Sequence, residues 1–212
     1  MTVKNKIIIF SDFDGTITKD DALDKIIIDL YSYEKYKDGE NKLLSCEIKY
    51  EDYLFDTFEN IYYDTSKISR SIVDEHFKKF YEWIKDNMID FYVVSSGFKK
   101  IIIDLIPYIN NELVFANDLI INDGKWQVKL YDNANNSSIN KNNVIKEKSK
   151  PNYKTIFIGD GLSDFKVMGN VDYLFCKNNS LLHKKCISEK CDHIIFNNFN
   201  DILYYIENII MK

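Results

Sequence analysis

Two aspartates, Asp12 and Asp14, directly follow the apolar segment at residues 6–11. Residues two apart on extended backbone point to the same side, so we expect the two carboxylates to lie together. Such a pair is unfavourable unless a cation or a shared proton relieves the repulsion. The pair suits a nucleophile beside a proton donor, or two groups near one metal ion. An Asp-Gly step after a strand is also typical of a simple turn.

A second group of residues could bind an anion. Ser95, Ser96 and Gly97 close an apolar run and precede a predicted helix. Hydroxyls and backbone amides at the N-terminus of a helix can form an anion cradle, although many strand-to-helix turns have this composition. Lys141 lies at the start of another predicted helix, where the helix dipole disfavours a cation. A lysine there indicates either a bound anion or an exposed surface position.

A third group, Asp160 and Asp164, follows the apolar run that ends at Ile158. Carboxylate ligands without nearby histidines suit Mg²⁺ better than zinc. The segment lacks the third glycine of a dinucleotide-binding loop. A calcium loop that starts at Asp12 is excluded, because its twelfth position would be Leu23 instead of glutamate.

All these polar groups follow segments with the character of β-strands. The predicted strands cover residues 6–11, 90–97, 113–116, 153–158, 172–176 and 193–196, with a hairpin at 119–128. The predicted helices between and after them cover residues 98–108, 140–148, 163–168, 180–189 and 201–210. This alternation predicts an α/β Rossmannoid fold, a parallel sheet with helices on both faces. In such sheets the site lies beyond the carboxyl ends of the strands.

The stretch from about residue 21 to 87 has a different pattern. Its apolar residues recur at helical spacing, for example at Ile72, Phe77, Phe80 and Ile84. We predict several helices and no strand there. Because this block is inserted between the first and second strands, we expect it to form a cap.

Four segments, in this order and at these intervals, resemble the motifs of the haloacid dehalogenase superfamily. Residues 12–16 (Asp-Phe-Asp-Gly-Thr) resemble the first motif and Ser95 the second. Lys141 resembles the third motif, and residues 159–164 (Gly-Asp-Gly-Leu-Ser-Asp) resemble the fourth. The resemblance covers nearly the whole chain. It implies that the chain consists of a catalytic core at residues 1–17 and 88–212 and a helical C1-type cap at residues 18–87.

The resemblance also implies catalytic roles. Asp12 would attack phosphorus and form an aspartyl-phosphate, while Asp14 would protonate the leaving alkoxide and then deprotonate the attacking water. Mg²⁺ would be held by Asp12, the Asp14 carbonyl and Asp160. Asp164 would either bind the metal or orient Lys141.

The phosphate-binding groups implied by the resemblance are Ser95, the amides of Ser96 and Gly97, and Lys141. The implied reaction is Mg²⁺-dependent hydrolysis of a small phosphorylated metabolite. Alternatives are a phosphotransferase or mutase that uses the same intermediate, and a non-catalytic module that binds phosphorylated metabolites.

Two short segments resemble two branches of the superfamily that act on different substrates. Residues 16–21 resemble the methionine-salvage phosphatase that acts on 2-hydroxy-3-keto-5-methylthiopentenyl-1-phosphate, and residues 95–98 resemble phosphoserine phosphatase. The phosphoserine branch has a glutamate near the position of Asp21 and an arginine in the cap. Here the acid is shorter and the only arginine is Arg70, late in the predicted cap. This difference favours a substrate other than phosphoserine.

Composition excludes other classes of function. The chain has 28 basic and 33 acidic residues, a net charge of −5, and a single arginine. A nucleic-acid-binding surface needs clustered positive charge, so no nucleic-acid partner is expected. The apolar runs are far shorter than the ~20 residues of a membrane-spanning helix, and no signal-peptide pattern is visible. We therefore expect a cytoplasmic protein without a membrane partner; the sequence does not define its oligomeric state.

Overall fold

The computed structural model describes residues 6–62, 71–132 and 134–211. The chain divides into two compact units. The first unit contains Met1–Lys19, Val73–Val94 and Asn140–Lys212, and the second contains Asp20–Ile72 and Ser95–Ile139. The assignment of residues 18–87 to a cap stays a prediction.

A seven-stranded sheet is formed by the described residues. Its strands are β1 (Ile7–Ser11), β2 (Asp90–Phe98), β3 (Val114–Asn122), β4 (Lys125–Lys129), β5 (Lys154–Gly159), β6 (Tyr173–Lys177) and β7 (Ile194–Phe196). The strand order is β4-β3-β2-β1-β5-β6-β7. β1 runs parallel to β2 and β5, β5 to β6, and β6 to β7, whereas β3 and β4 are antiparallel. The predicted α/β fold with a parallel sheet is confirmed.

Eight α-helices occur among the described residues. They are α1 (Ala22–Leu30), α2 (Tyr33–Leu44), α3 (Tyr50–Phe58), α4 (Phe77–Asp86), α5 (Lys99–Leu105), α6 (Lys141–Lys148), α7 (Leu181–Glu189) and α8 (Phe199–Tyr205). Short 3₁₀ turns cover Asn111–Leu113 and Asp164–Val167, and a π-helical turn covers Ile206–Ile210. No helix of the described ranges has the length and apolar character needed to cross a membrane.

Local sequence explains where several helices begin and end. The side chains of Asp21, Asn140 and Ser180 each accept a backbone N–H at the start of a helix, which satisfies an otherwise unpaired donor. The helix predicted at residues 98–108 ends earlier, at Leu105. Pro107 explains the difference, because a proline disfavours helical backbone at the residue before it.

The core of the first unit combines apolar strands with an aromatic cluster. All five residues of β1 are buried, as expected for a strand covered on both faces. Phe77 and Phe80 of α4 pack against Phe199; the ring centroids of Phe77 and Phe80 lie 4.9 and 5.0 Å, respectively, from that of Phe199. These contacts bury Phe77 and Phe80, as the helical spacing predicted. The prediction is wrong for Ile72, which lies before α4 and is exposed.

Residues 19 and 73 mark where the chain first leaves and rejoins the first unit; it leaves again after Val94 and returns at Asn140. Thr18 pairs with Val73 in an antiparallel bridge, and the Asp74 N–H donates to the Ile17 carbonyl at 2.9 Å. The first departure and the first return of the chain therefore lie side by side within this unit.

The core of the second unit lies between α1, α3 and the antiparallel strands. Phe58 stacks on Trp126 at 5.8 Å and meets Phe98 edge-on at 5.2 Å. The sequence predicted a short strand at 113–116 separate from the hairpin, whereas β3 is continuous through Asn117. This asparagine is tolerated because its side-chain amide donates to the Ser96 carbonyl and its oxygen accepts the Tyr131 N–H.

Candidate active site

The loop after β1 holds Asp12 at the sheet. The Asp12 N–H donates to the Ile158 carbonyl of β5 at 2.8 Å, so the strand pairing continues up to this residue. Its side chain is buried, and Oδ1 accepts the Phe13 N–H at 2.8 Å. Asp14 is half-buried in the turn that follows.

Gly15 occupies a position in this turn that other residues would not fit. Its φ is +69°, in the left-handed region that disfavours side chains. A Cβ placed there would lie 2.3 Å from Oδ2 of Asp160. The glycine therefore permits the close approach of the first loop to the loop after β5.

Lys141 is buried, which excludes the surface position left open by the sequence. It is the first residue of α6, and its Nζ lies 2.5 Å from Oδ1 of Asp164 and 3.0 Å from Oδ2 of Asp12. Burial alone would lower the pKa of Lys141, but the attraction of the two carboxylates raises it above its ordinary value. Lys141 is therefore a fixed cation beside the Asp12 carboxylate.

Asp164 is fully buried and uses both oxygens within the protein. Oδ1 accepts from Lys141, while Oδ2 accepts the N–H groups of Asp160 and Gly161 at 3.1 and 3.0 Å. Of its two predicted roles, this geometry supports the orientation of Lys141.

Asp160 is held from two directions. Its Oδ1 accepts the Thr16 hydroxyl at 2.8 Å, and its carbonyl accepts the Leu182 N–H of α7 at 2.8 Å. Burial, followed by repulsion from Asp164, raises the pKa of Asp160 to about 6. Thr16 and Leu182 could not be recognised as partners of Asp160 from the sequence, because their roles depend on contacts between distant loops.

The carboxylates of Asp12, Asp160 and Asp164 converge. One oxygen from each lies within 4.8 Å of the others, and this is the group of possible metal ligands found among the described residues. The Lys141 ammonium lies against Asp12 and Asp164. Attraction to Lys177 and Lys141 partly offsets the rise in the pKa of Asp160. Burial, and then repulsion from Asp164, raises the pKa of Asp12 well above its ordinary value. Hard oxygen ligands with an excess of negative charge fit a divalent cation, although the Asp14 side chain is not part of this group.

Ser95, Ser96 and Gly97 lie in the C-terminal part of β2. Ser95–Gly97 are part of the strand and not of a strand-to-helix turn, because β2 continues to Phe98 and α5 begins at the next residue. The Ser95 hydroxyl is buried and accepts the Gly97 N–H at 3.0 Å, and the Ser96 carbonyl accepts the Tyr50 hydroxyl at 3.1 Å. The phosphate-binding role of this segment stays a prediction. Arg70 lies outside the described residues.

These features define the class of protein. Residues 9–169 match the haloacid dehalogenase-like hydrolase family, so the match spans most of the chain and includes all four motifs. The chain belongs to this family. The predicted resemblance is confirmed, and the chain is an enzyme of the phosphatase type within the family.

Relatives of known name are similar over nearly the full length. The chain is 27% identical to Pdp3-interacting factor 1 of Schizosaccharomyces pombe, with 95% of each chain covered. It is 26% identical to the 2-hydroxy-3-keto-5-methylthiopentenyl-1-phosphate phosphatase of Bacillus cereus, over 92% of this chain and 93% of the relative. A substrate-bound phosphoserine phosphatase has the same fold, with a TM-score of 0.73, 21% identity, and coverage of 95% of this chain and 99% of that one.

Proposed function

We propose that this enzyme hydrolyses a small phosphomonoester with Mg²⁺ through an aspartyl-phosphate on Asp12. The observation that carries the proposal is the buried group of Asp12, Lys141 and Asp164. A carboxylate lies next to a lysine that a second carboxylate holds in place. A fixed cation beside a nucleophile can stabilise the negative charge of a transferring phosphoryl group.

Asp12 is oriented for attack by two neighbours. The Phe13 N–H holds Oδ1, and Lys141 lies against Oδ2. The nucleophile must be ionised, yet its burial among carboxylates disfavours the ionised form. Bound Mg²⁺, with Asp12, the Asp14 carbonyl and Asp160 as its proposed ligands, would supply the positive charge that keeps Asp12 ionised and neutralises phosphate oxygens.

Asp14 is the proposed general acid and base. It lies two residues beyond the nucleophile, in a turn whose Thr16, Ile17 and Thr18 N–H groups all donate to the Phe13 carbonyl. It would protonate the leaving alkoxide and then take a proton from the water that cleaves the aspartyl-phosphate. Ser95 and the amides of Ser96 and Gly97 are the proposed phosphate-binding segment.

Asp21 bears on the choice of substrate. Its carboxylate caps α1 by accepting the Asp24 N–H at 3.0 Å, so it is already engaged within the protein. Burial, followed by repulsion from Asp24, raises the pKa of Asp21 to about 7. A carboxyl group that is partly protonated near neutral pH is a weak partner for a substrate ammonium. This supports a substrate without an ammonium group, such as 2-hydroxy-3-keto-5-methylthiopentenyl-1-phosphate or a related metabolite, over phosphoserine.

The cytoplasm is the compartment that we propose for this reaction. All four cysteines lack a disulfide, and the Sγ atoms of the buried Cys176 and Cys186 share a hydrogen bond at 3.7 Å. Unpaired neighbouring thiols suit a reducing compartment.

The experiment that tests the proposal measures release of phosphate by the purified enzyme. We expect hydrolysis of p-nitrophenyl phosphate with Mg²⁺, loss of activity with EDTA, and recovery when Mg²⁺ is returned. In a panel of metabolites, we then expect a higher kcat/KM for 2-hydroxy-3-keto-5-methylthiopentenyl-1-phosphate than for phosphoserine. Activity that survives exhaustive chelation would contradict the metal assignment, and a preference for phosphoserine would contradict the substrate assignment.

A further inference from the structure

Lys177 is the last residue of β6 and contacts the loop that follows β1. Its ammonium donates to the Gly15 carbonyl at 2.5 Å and lies 3.4 Å from the Thr18 carbonyl. The two partners are 162 and 159 residues away in sequence. The half-buried side chain therefore joins one end of β6 to the turn that carries Asp14.

Both peptide groups that flank Gly15 are restrained. The Gly15 N–H donates to the Thr18 hydroxyl at 3.1 Å, which orients the peptide between Asp14 and Gly15. The next peptide has its carbonyl on Lys177 and its N–H on the Phe13 carbonyl at 3.2 Å. Since a peptide group is planar, holding its two ends fixes its orientation.

Lys177 is the charged donor in this arrangement. The N–H and hydroxyl donors that act within residues 12–18 are neutral, and their bonds close short loops. Two long-range bonds with neutral donors also hold this segment, from the Asp74 N–H to the Ile17 carbonyl and from the Thr16 hydroxyl to Asp160. A hydrogen bond from an ammonium is stronger than one between neutral groups. Lys177 therefore adds a charged link between the Gly15 carbonyl and the end of β6, whereas the other long-range links of this segment have neutral donors.

We propose that Lys177 is a positioning residue that fixes the turn at Gly15 and thereby places Asp14 for proton transfer. The inference rests on the proposed function, because it assumes that Asp14 protonates the leaving group. A misplaced proton donor matters most when the leaving group is poor. Loss of Lys177 should therefore lower kcat/KM most for substrates whose leaving group must be protonated.

The test compares two aryl phosphates of similar size in the wild type and in Lys177→Met. p-Nitrophenolate leaves readily without protonation, whereas phenolate needs it more. We expect kcat/KM for phenyl phosphate to fall about tenfold or more and that for p-nitrophenyl phosphate to stay within about threefold. Lys177→Arg, which keeps a cationic donor, should recover most of the loss on phenyl phosphate.

Lys154→Met is the matched control, because Lys154 forms an exposed ion pair with Asp172. It should leave the ratio between the two substrates unchanged. An equal loss on both substrates in Lys177→Met, or no loss on either, would overturn the proposal.

Hydrogen exchange separates this inference from the proposed function. Amides of a peptide covering residues 12–18 should exchange faster in Lys177→Met than in the wild type or in Lys154→Met. Unchanged exchange would overturn the restraint itself. If the wild type hydrolyses no aryl phosphate, the proposed function is contradicted. If the exchange of residues 12–18 still differs between Lys177→Met and the wild type, the restraint by Lys177 is supported independently.

Discussion

Lys141 and Asp12 form a buried ion pair in which Nζ lies 3.0 Å from Oδ2. The same ammonium is bound more closely by Asp164, at 2.5 Å. Asp12 therefore shares its cation with a second carboxylate and has only part of its charge compensated. This arrangement leads to opposite expectations for the stability of variants at the two positions.

Replacing the cation should destabilise the protein. In Lys141→Met the Asp12 and Asp164 carboxylates stay buried without a counter-charge, so the free energy of unfolding should fall by roughly 3–5 kcal/mol. Chemical denaturation in metal-free buffer measures the effect, and turnover should also fall by about 100-fold or more. Lys154→Met, at an exposed pair, should cost no more than about 1 kcal/mol. Equal losses in the two variants would argue against a special role of the buried pair.

Replacing the nucleophile should abolish activity without loss of stability. Asp12→Asn keeps the shape of the side chain but removes the attacking oxygen charge, so turnover should fall by about 1000-fold or more. Because burial and neighbouring carboxylates raise the pKa of Asp12, the neutral variant should unfold at the same or a higher denaturant concentration in metal-free buffer. Asp86→Asn, at an exposed position at the end of α4, is the control. Wild-type turnover in Asp12→Asn would exclude this residue as the nucleophile.

Alanine variants of Gly15 and Gly169 distinguish the effect of backbone strain from that of crowding at the site. Gly15 and Gly169 have φ values of +69° and +79°, but an added Cβ would meet Asp160 only at Gly15. Both alanine variants should lose roughly 1–2 kcal/mol of stability from the left-handed backbone. Only Gly15→Ala should also lose turnover, by about tenfold or more, because Asp160 must move. If Gly169→Ala reduces turnover equally, strain and not crowding explains the effect.

The pKa of Asp21 predicts a pH dependence of stability. The folded state raises this pKa from an ordinary value near 4 to about 7, so the folded state binds a proton that the unfolded state has lost between these values. The contribution of Asp21 is therefore present at low pH and is lost as the pH rises towards 7. Asp21→Asn keeps the helix cap and removes the titration. Its stability relative to the wild type should rise between pH 4 and 8, by up to about 4 kcal/mol; parallel pH profiles would contradict this.

Much of the site could be predicted from sequence because its residues follow buried strands. The apolar runs of β1 and β5 identified the strand ends that carry Asp12 and Asp160, and the structure brings these carboxylates together. The spacing could not show which oxygens of Asp164 are occupied, because two of its partners are backbone N–H groups of a tight turn. Lys177 was missed for a related reason: its partners are carbonyls, which carry no signature in sequence.

The fold was predictable to a similar extent. Helical spacing identified the apolar face of α4, but periodicity cannot show which residues cover that face, here including Phe199. The break predicted between residues 116 and 119 falls at the polar Asn117, whose burial depends on hydrogen bonds to residues distant in sequence. In both cases the missing information was the identity of a long-range partner.

The bridge between Thr18 and Val73 has a consequence for how this chain could change during evolution. Since the two crossings are hydrogen-bonded neighbours, the polypeptide between them begins and ends at almost the same place. Segments of different length could be exchanged there without stretching the backbone of β1 or α4, and longer connections add little entropic cost. Asp12 and Asp160 would keep their strand supports through such an exchange, so the chemistry could be inherited while the inserted segment diverged.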